Sequence, residues 1–353
     1  MNLQEIQNTL QPIDDLWNSQ NVAGVVHLME HMMMPAFRSW HGYGWREEAT
    51  GLVVSPFVSN PQDLDAIVAR IAASLPPEVK VEGIVMPPFQ EIGSGTPKEL
   101  PDPFHPGNVV IGDCSSAHIG TIGGFLTAED DDSTWLLSNR HVLTECPSGQ
   151  LIGANFTVLG SDVRSVPPQP KNNIVDAAVV KIENPSEVNP RFEELGRVAQ
   201  PTLLTMARLQ EGTAVRKLGN VTGVTSGKLV LHCPKVNVED KAGVVREFVH
   251  QLAIIPNGQI GLFADDGDSG SLIVTGGPDA GDSGSTIASD EHVIGLLFAS
   301  SIASAIEIPV GQSLKPPFYL ANRWDNVIQE LSAPEIVGSP LKLMLSKKAA
   351  ATH

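Results

Sequence analysis

A mainly β chain assembled from many short strands is predicted by three observations. Glycine and proline number 32 and 27 among 353 residues, about a sixth of the chain, which is more turn chemistry than long helices tolerate. From about residue 108 to 308, short apolar runs are separated by turn clusters, the texture of a sandwich or barrel. Apolar residues make up 42%, enough for a packed core. The length predicts two or more core units rather than one.

The elements follow in order. Residues 1–105 mix helical and strand periods and are expected to form a small α/β domain. Gln4 to Trp17 reads as a helix, and Thr50 to Pro56 as a strand. Asn60 to Leu75 reads as a second helix, because Leu64, Ile67, Val68 and Ile71 fall on one face. Val79 to Val85 is expected to be a strand, and Gly93 to Pro106 a linker. Strands are then expected at Trp135–Leu137, Ala177–Val180, Lys228–Leu231, Ser271–Val274 and Val293–Leu297. A C-terminal helix over about Leu320 to Leu331 carries Trp324, Val327, Ile328 and Leu331, and the tail after Pro340 is expected to be loose.

With 40 acidic and 23 basic residues the net charge is −17. That balance excludes a nucleic-acid binder, which needs a basic face, and a polybasic membrane anchor. The start, Met1 to Glu5, has no basic or apolar leader region. The longest uncharged apolar stretch, Val293 to Ile306, has 14 residues, where a membrane span needs about 20. Cys114, Cys146 and Cys233 form neither a disulfide framework nor a zinc pattern. A cytoplasmic protein with free thiols is expected.

Three segments carry chemistry. His141 directly follows the apolar run Leu136–Leu137, Asp176 enters the buried-type run Ala177–Val180, and Ser269 sits in the turn Gly267-Asp268-Ser269-Gly270-Ser271. A lone histidine after a strand also has a purely structural reading. A buried carboxylate, however, asks for a partner. Serine needs a base to become a nucleophile, imidazole suits that work near neutral pH, and the imidazole needs a carboxylate to fix its tautomer. The three residues offer all three roles, in the order His, Asp, Ser, with gaps of 35 and 93 residues.

Ser138-Asn139-Arg140-His141-Val142, Asp176 to Val180 and Gly267 to Ser271 resemble the signature segments of trypsin-like serine peptidases. Gly120 to Leu126 and Val215 to Gly227 resemble the strands that enter that family's first and second barrels. The Ser-Asn-Arg-His-Val form is closest to intracellular high-temperature-requirement-like and narrow-leaf-like members from bacteria and plants. The resemblance implies a two-barrel chymotrypsin-like serine peptidase fold over residues 106–319, with barrel 1 at about 108–195 and barrel 2 at about 205–310. Residues 320–353 would add a helix and tail. It implies peptide-bond hydrolysis by catalytic His141, Asp176 and Ser269 through an acyl-enzyme. The oxyanion would be held by the backbone N–H groups of Gly267 and Ser269. Phe298, Ala299 and Ser300 would wall the pocket for the side chain before the scissile bond, with Phe263 and Ala264 at its base. An apolar floor favours an uncharged side chain there, whereas Asp265 and Asp266 at the mouth favour a basic one. The expected partner is a protein or peptide substrate, with no cofactor and no metal. A homo-oligomer or a regulatory partner acting through the N-terminal domain is also expected. No Ile-Val-Gly-Gly start lies upstream of His141, so a freed N-terminus is not expected to pair with Asp268.

The string Gly281-Asp282-Ser283-Gly284-Ser285 repeats the nucleophile motif. Ser269 is preferred because it follows the strand-like run Gln259 to Phe263 and precedes an apolar strand. Ser283 lies some ~15 Å farther along that strand and its connection, beyond the ~3 Å reach of an imidazole. His27 and His31 have zinc-like spacing beside Met32 to Met34 but lack a third ligand. Glu129 to Asp132 lacks the alternation of a calcium loop and reads as a hairpin tip. A catalytically silent scaffold that binds peptides or partner proteins is the alternative function. A non-peptide ester hydrolase comes third, because no Gly-x-Ser-x-Gly elbow is present.

Overall fold

A computed structural model describes residues 39–48, 51–92, 104–112, 119–144, 151–153, 158–196, 198–199, 209–257, 262–276, 291–301, 312 and 314–345. The expected helix at Gln4–Trp17, His27, His31, the Met32–Met34 run, most of the expected linker, Cys114, Cys146 and the second motif around Ser283 lie outside these residues.

Strands β1 (Trp40–Glu48) and β2 (Gly51–Val58) pair as an antiparallel hairpin. The expected helix at 60–75 is a 3-10 turn, Pro61–Asp63, followed by α1 (Leu64–Ala72). The Asn60 side chain accepts the Gln62 N–H at 3.2 Å and caps the turn. Ile67 and Ile71, one helical turn apart, bury beneath the hairpin with Trp40, Tyr43, Val54 and Val58. The expected strand at 79–85 is two short strands, β3 (Lys80–Val81) and β4 (Ile84–Val85), both parallel to β2. The break falls at Gly83, where a Cβ would lie 2.3 Å from Leu64 Cδ1. Strand β5 (Phe89–Glu91) follows.

Next come β6 (Val109–Gly112), β7 (Ile119–Thr121), β8 (Gly124–Ala128), β9 (Thr134–Ser138), the one-turn helix α2 (Arg140–Leu143), β10 (Leu151–Gly153), β11 (Val158–Gly160), β12 (Val163–Ser165) and β13 (Ala178–Lys181). They form two sheets, β11-β10-β6-β7 and β12-β13-β9-β8, around one core that includes Val110, Ile122, Phe125, Leu136, Ala178 and Val180. Residues 129–131 are the turn between β8 and β9, the hairpin tip expected there.

The remaining strands are β14 (Val198–Ala199), β15 (Ala214–Gly219), β16 (Gly223–Glu239), β17 (Val245–Pro256), β18 (Leu272–Thr275), β19 (Glu291–Ser300) and β20 (Tyr319–Arg323), then α3 (Trp324–Leu331) and β21 (Leu341–Leu343). The order β15-β18-β19-β20-β17-β16 closes on itself because β16 also pairs with β15. This is a six-stranded barrel, and its closure removes open edges. Leu229, Leu252, Ile254, Phe263, Leu272, Leu296 and Leu297 belong to its buried core. At 17 residues β16 outruns the barrel, and its far half pairs with β1 through Gly42↔Val236 and Trp45↔His232. The sheet therefore runs without a break from residues 40–91 into the second barrel. The fold is mainly β, as the sequence predicts. Among the described residues, no helix is long and apolar enough to cross a membrane.

Three expectations need correction. Tyr319–Arg323 is a strand of the barrel, so the C-terminal helix begins at Trp324 rather than near Leu320. Within the tail after Pro340, residues 341–345 are not loose, since β21 pairs with β8 and buries Leu341 and Leu343, while residues 346–353 lie outside the described set. The stretch expected as a strand before Ser269 has an irregular backbone at Leu262 and Phe263, and its first three residues lie outside the described set.

Candidate active site

The site lies where the two β units meet. His141 stands on α2, directly after β9. Val142 and Leu143, both buried, anchor that single turn in the first core, and Thr144 N–H closes it on the Arg140 carbonyl at 2.9 Å. Asp176 precedes β13 and is held by its backbone. Its N–H donates to Asn322 Oδ1 at 3.0 Å, and its carbonyl accepts from Asn139 Nδ2 at 2.7 Å. Asn322 is itself fixed by a 2.7 Å bond from Nδ2 to Gln251 Oε1.

Ser269 sits in a tight turn entering β18. Gly270 has φ +94°, and a Cβ there would lie 2.2 Å from Ser138 Oγ and 2.4 Å from the Thr121 carbonyl, so only glycine fits. The turn is bolted on both sides. Gly270 N–H donates to the Leu297 carbonyl at 3.0 Å, Thr121 N–H to the Ser269 carbonyl at 2.7 Å, and Thr121 Oγ1 to the Gly267 carbonyl at 2.9 Å. Beneath it, the buried Lys217 ammonium meets Asp268 Oδ2 at 2.8 Å. The same carboxylate accepts from Val221 N–H at 2.8 Å and Thr222 Oγ1 at 2.6 Å. Burial would raise its pKa, but Lys217 and these donors hold it below the ordinary carboxylate value. Lys217 thus fills the place beside Asp268.

These elements bring the three sequence-expected residues together. His141 Nδ1 hydrogen-bonds Asp176 Oδ2, and Nε2 lies 3.1 Å from Ser269 Oγ. All three are almost wholly buried. Arg140 Nε lies 3.4 Å from Asp176 Oδ1. Burial acts to lower the pKa of His141, but the charges of Asp176 and Glu91, with hydrogen bonds donated by the ring to Asp176 and the Ile92 carbonyl, push it up to about 9. Burial acts to raise that of Asp176, but His141 and Arg140 pull it below its ordinary value. Ligand atoms of Glu91, His141 and Asp176 lie within 4.8 Å of one another. Both imidazole nitrogens there are already engaged in hydrogen bonds.

Among the described residues, the N–H groups of Gly267 and Ser269 have no acceptor, while Asp268 N–H between them donates to the Asp265 carbonyl at 2.9 Å. Two amides are therefore free to receive an anion. Phe263, Ala264, Phe298 and Ala299 are fully buried, Ser300 nearly so, and Asp265 is half-buried.

Sequence reasoning missed the closest neighbours of the site. Ile92, which follows β5, places its carbonyl against both functional side chains. Ser269 Oγ donates to it, and His141 Nε2 lies 2.9 Å away. Ile92 N–H donates to the Phe298 carbonyl at 3.2 Å. Lys217 and Asn322 were also missed, although each is a polar residue inside an apolar strand, a signal that could have found them.

No protein-family model matches the chain, and no relative is found among curated proteins. Solved structures similar to it include a glutamic acid-specific serine protease, at 16% identity over 68% of this chain and 100% of that one, with a TM-score of 0.41. The chymotrypsin of Cellulomonas bogoriensis has 14% identity over 69% and 100%, with a TM-score of 0.39. The HtrA-type protease AlgW bound to a tripeptide has 14% identity over 65% and 60%, with a TM-score of 0.35.

Proposed function

We propose that this protein is a serine endopeptidase. The observation that carries the reading is the placement of His141 between Asp176 and Ser269, with its two nitrogens directed to a carboxylate and a hydroxyl. In the catalytic cycle His141 in its neutral form takes the Ser269 proton and Oγ attacks the carbonyl of a peptide bond. The N–H groups of Gly267 and Ser269 hold the oxyanion, and Asp176 steadies the imidazolium. His141 then passes its proton to the leaving amine, and water releases the acyl group by the same route.

Geometry favours this hydrolytic role over a purely structural one, since the three side chains meet from three separate segments and the Gly267 and Ser269 amides of the same turn have no acceptor among the described residues. Ser269→Ala is expected to lower kcat for a cleaved peptide by about 10⁶-fold, the cost of losing such a nucleophile. Ser283→Ala should leave turnover near wild type. Equal turnover by Ser269→Ala and wild type refutes the assignment. A catalytically silent scaffold is the second reading, favoured by one observation, the Ile92 carbonyl seated on the nucleophile.

A further inference from the structure

We infer that the chain's own segment Phe89–Ile92, β5 and the residue after it, occupies the acyl side of the cleft as a tethered, substrate-like peptide that holds the site closed. The inference rests on the endopeptidase reading for its chemistry. It also names the substrate class, an extended peptide with a branched aliphatic residue before the scissile bond.

The geometry is that of peptide addition to a sheet edge. β5 pairs antiparallel with the end of β19, through Ala299↔Glu91 and Ser300↔Gln90. The ladder continues one step, with Ile92 N–H donating to the Phe298 carbonyl. Residues 298–300 are the wall that the family resemblance implies for the pocket. Ile92 is buried and belongs to the same core cluster as Phe263 and Ala264, so its aliphatic side chain is shielded from water at this end of the strand. The other edge of β5 pairs in parallel with β16, and Phe89 packs at 5.8 Å, edge-on, against Phe57. The strand is thus clamped upstream and ends at the nucleophile.

The occupant inhibits because of where its carbonyl oxygen lies. It accepts the Ser269 hydroxyl proton and approaches His141 Nε2, instead of the Gly267 and Ser269 amides. A hydroxyl has one proton, so while it is given to Ile92 it is not given to the imidazole. The carbonyl is also not polarised by the oxyanion donors, so the bond after Ile92 is expected to stay intact. Glu91, brought in by the same strand, adds its charge to those of Asp176 and Arg140 around His141.

The test compares the rate of fluorophosphonate labelling at Ser269 in wild type, Ile92→Asp, Ile92→Gly and the exposed-side-chain control Gln90→Ala. Both Ile92 variants should label about 10- to 100-fold faster, the worth of burying one aliphatic side chain, and Gln90→Ala at the wild-type rate. Acetyl-Phe-Gln-Glu-Ile-amide should slow labelling of Ile92→Asp, and the same peptide ending in Asp should not. Equal labelling of wild type and both Ile92 variants overturns the inference and leaves the endopeptidase reading intact. If no chain labels, the endopeptidase reading fails, and binding of Phe-Gln-Glu-Ile-amide carrying an N-terminal fluorophore in place of the acetyl group decides the rest. Binding to Ile92→Asp but not to wild type upholds the tethered strand, whereas equal binding, or none to either, overturns it. A mature N-terminus at Gly93 also overturns it, since the strand would then be cut rather than held.

Discussion

Lys217 and Asp268 show how much of the site depends on single buried charges. Neither is exposed, and together they support the turn that carries Ser269. Removing one partner of a buried pair leaves an uncompensated charge, at a cost of about 3–5 kcal/mol. Lys217→Met is therefore expected to lower stability by that order in urea unfolding, with Lys217→Met/Asp268→Asn less affected than the single variant. An unchanged midpoint in the single variant contradicts the pairing. His141 sets a second dependence. Its pKa is raised from 6.5 to about 9 in the folded chain, so its share of stability is full below about pH 6.5 and is lost as pH rises through 9. Asp176 is shifted downward, so its share is present above its unfolded value and is lost as pH falls through the lower folded one. Because Glu91 helps raise the imidazole, Glu91→Gln should move the alkaline midpoint of Ser269 labelling below that of wild type. An upward move or no move contradicts that role.

Short elements are where the sequence said least. Ala178–Lys181 and Leu272–Thr275 were legible because apolar runs between turn residues bury on both faces. Their neighbours His141, Asp176 and Ser269 stood out because each is a polar residue at the end of such a run. β5 and β21, at three residues each, carry no period at all. Their pairing partners lie far off in the chain, so only the folded sheet defines them. Leu320–Arg323 misread as helix because Leu320 and Ala321 suit either state, and pairing with β17 and β19 decides for strand. Deleting residues 341–353 uncovers the buried sites of Leu341 and Leu343. It should cost about 3–6 kcal/mol at the usual worth of a buried leucine, read as a lower denaturation midpoint. A midpoint matching wild type contradicts the packing of β21.

At the scale of the molecule, a β hairpin, a closed six-stranded barrel and a two-sheet unit are joined by strands that cross between them. β16 links the hairpin to the barrel, β5 bridges β16 to β19, and Thr121 of the two-sheet unit grips the nucleophile turn of the barrel. Turn spacing made a body of many short strands legible, a sandwich or barrel, and only the motif resemblance implied two barrels. The reach of residues 40–91 into the second barrel was not, because a period reports local structure and not the partner strand. The same continuity carries the Ile92 carbonyl to Ser269, so the proposed closure of the site would follow from the fold itself. The most direct measurement is peptide mapping by mass spectrometry after exhaustive fluorophosphonate treatment of wild type, Ser269→Ala, Ser283→Ala and Ile92→Gly. The account predicts one adduct, on the peptide that holds Ser269, lost in Ser269→Ala alone. An adduct on Ser283, or none in any chain that retains its fold, contradicts it.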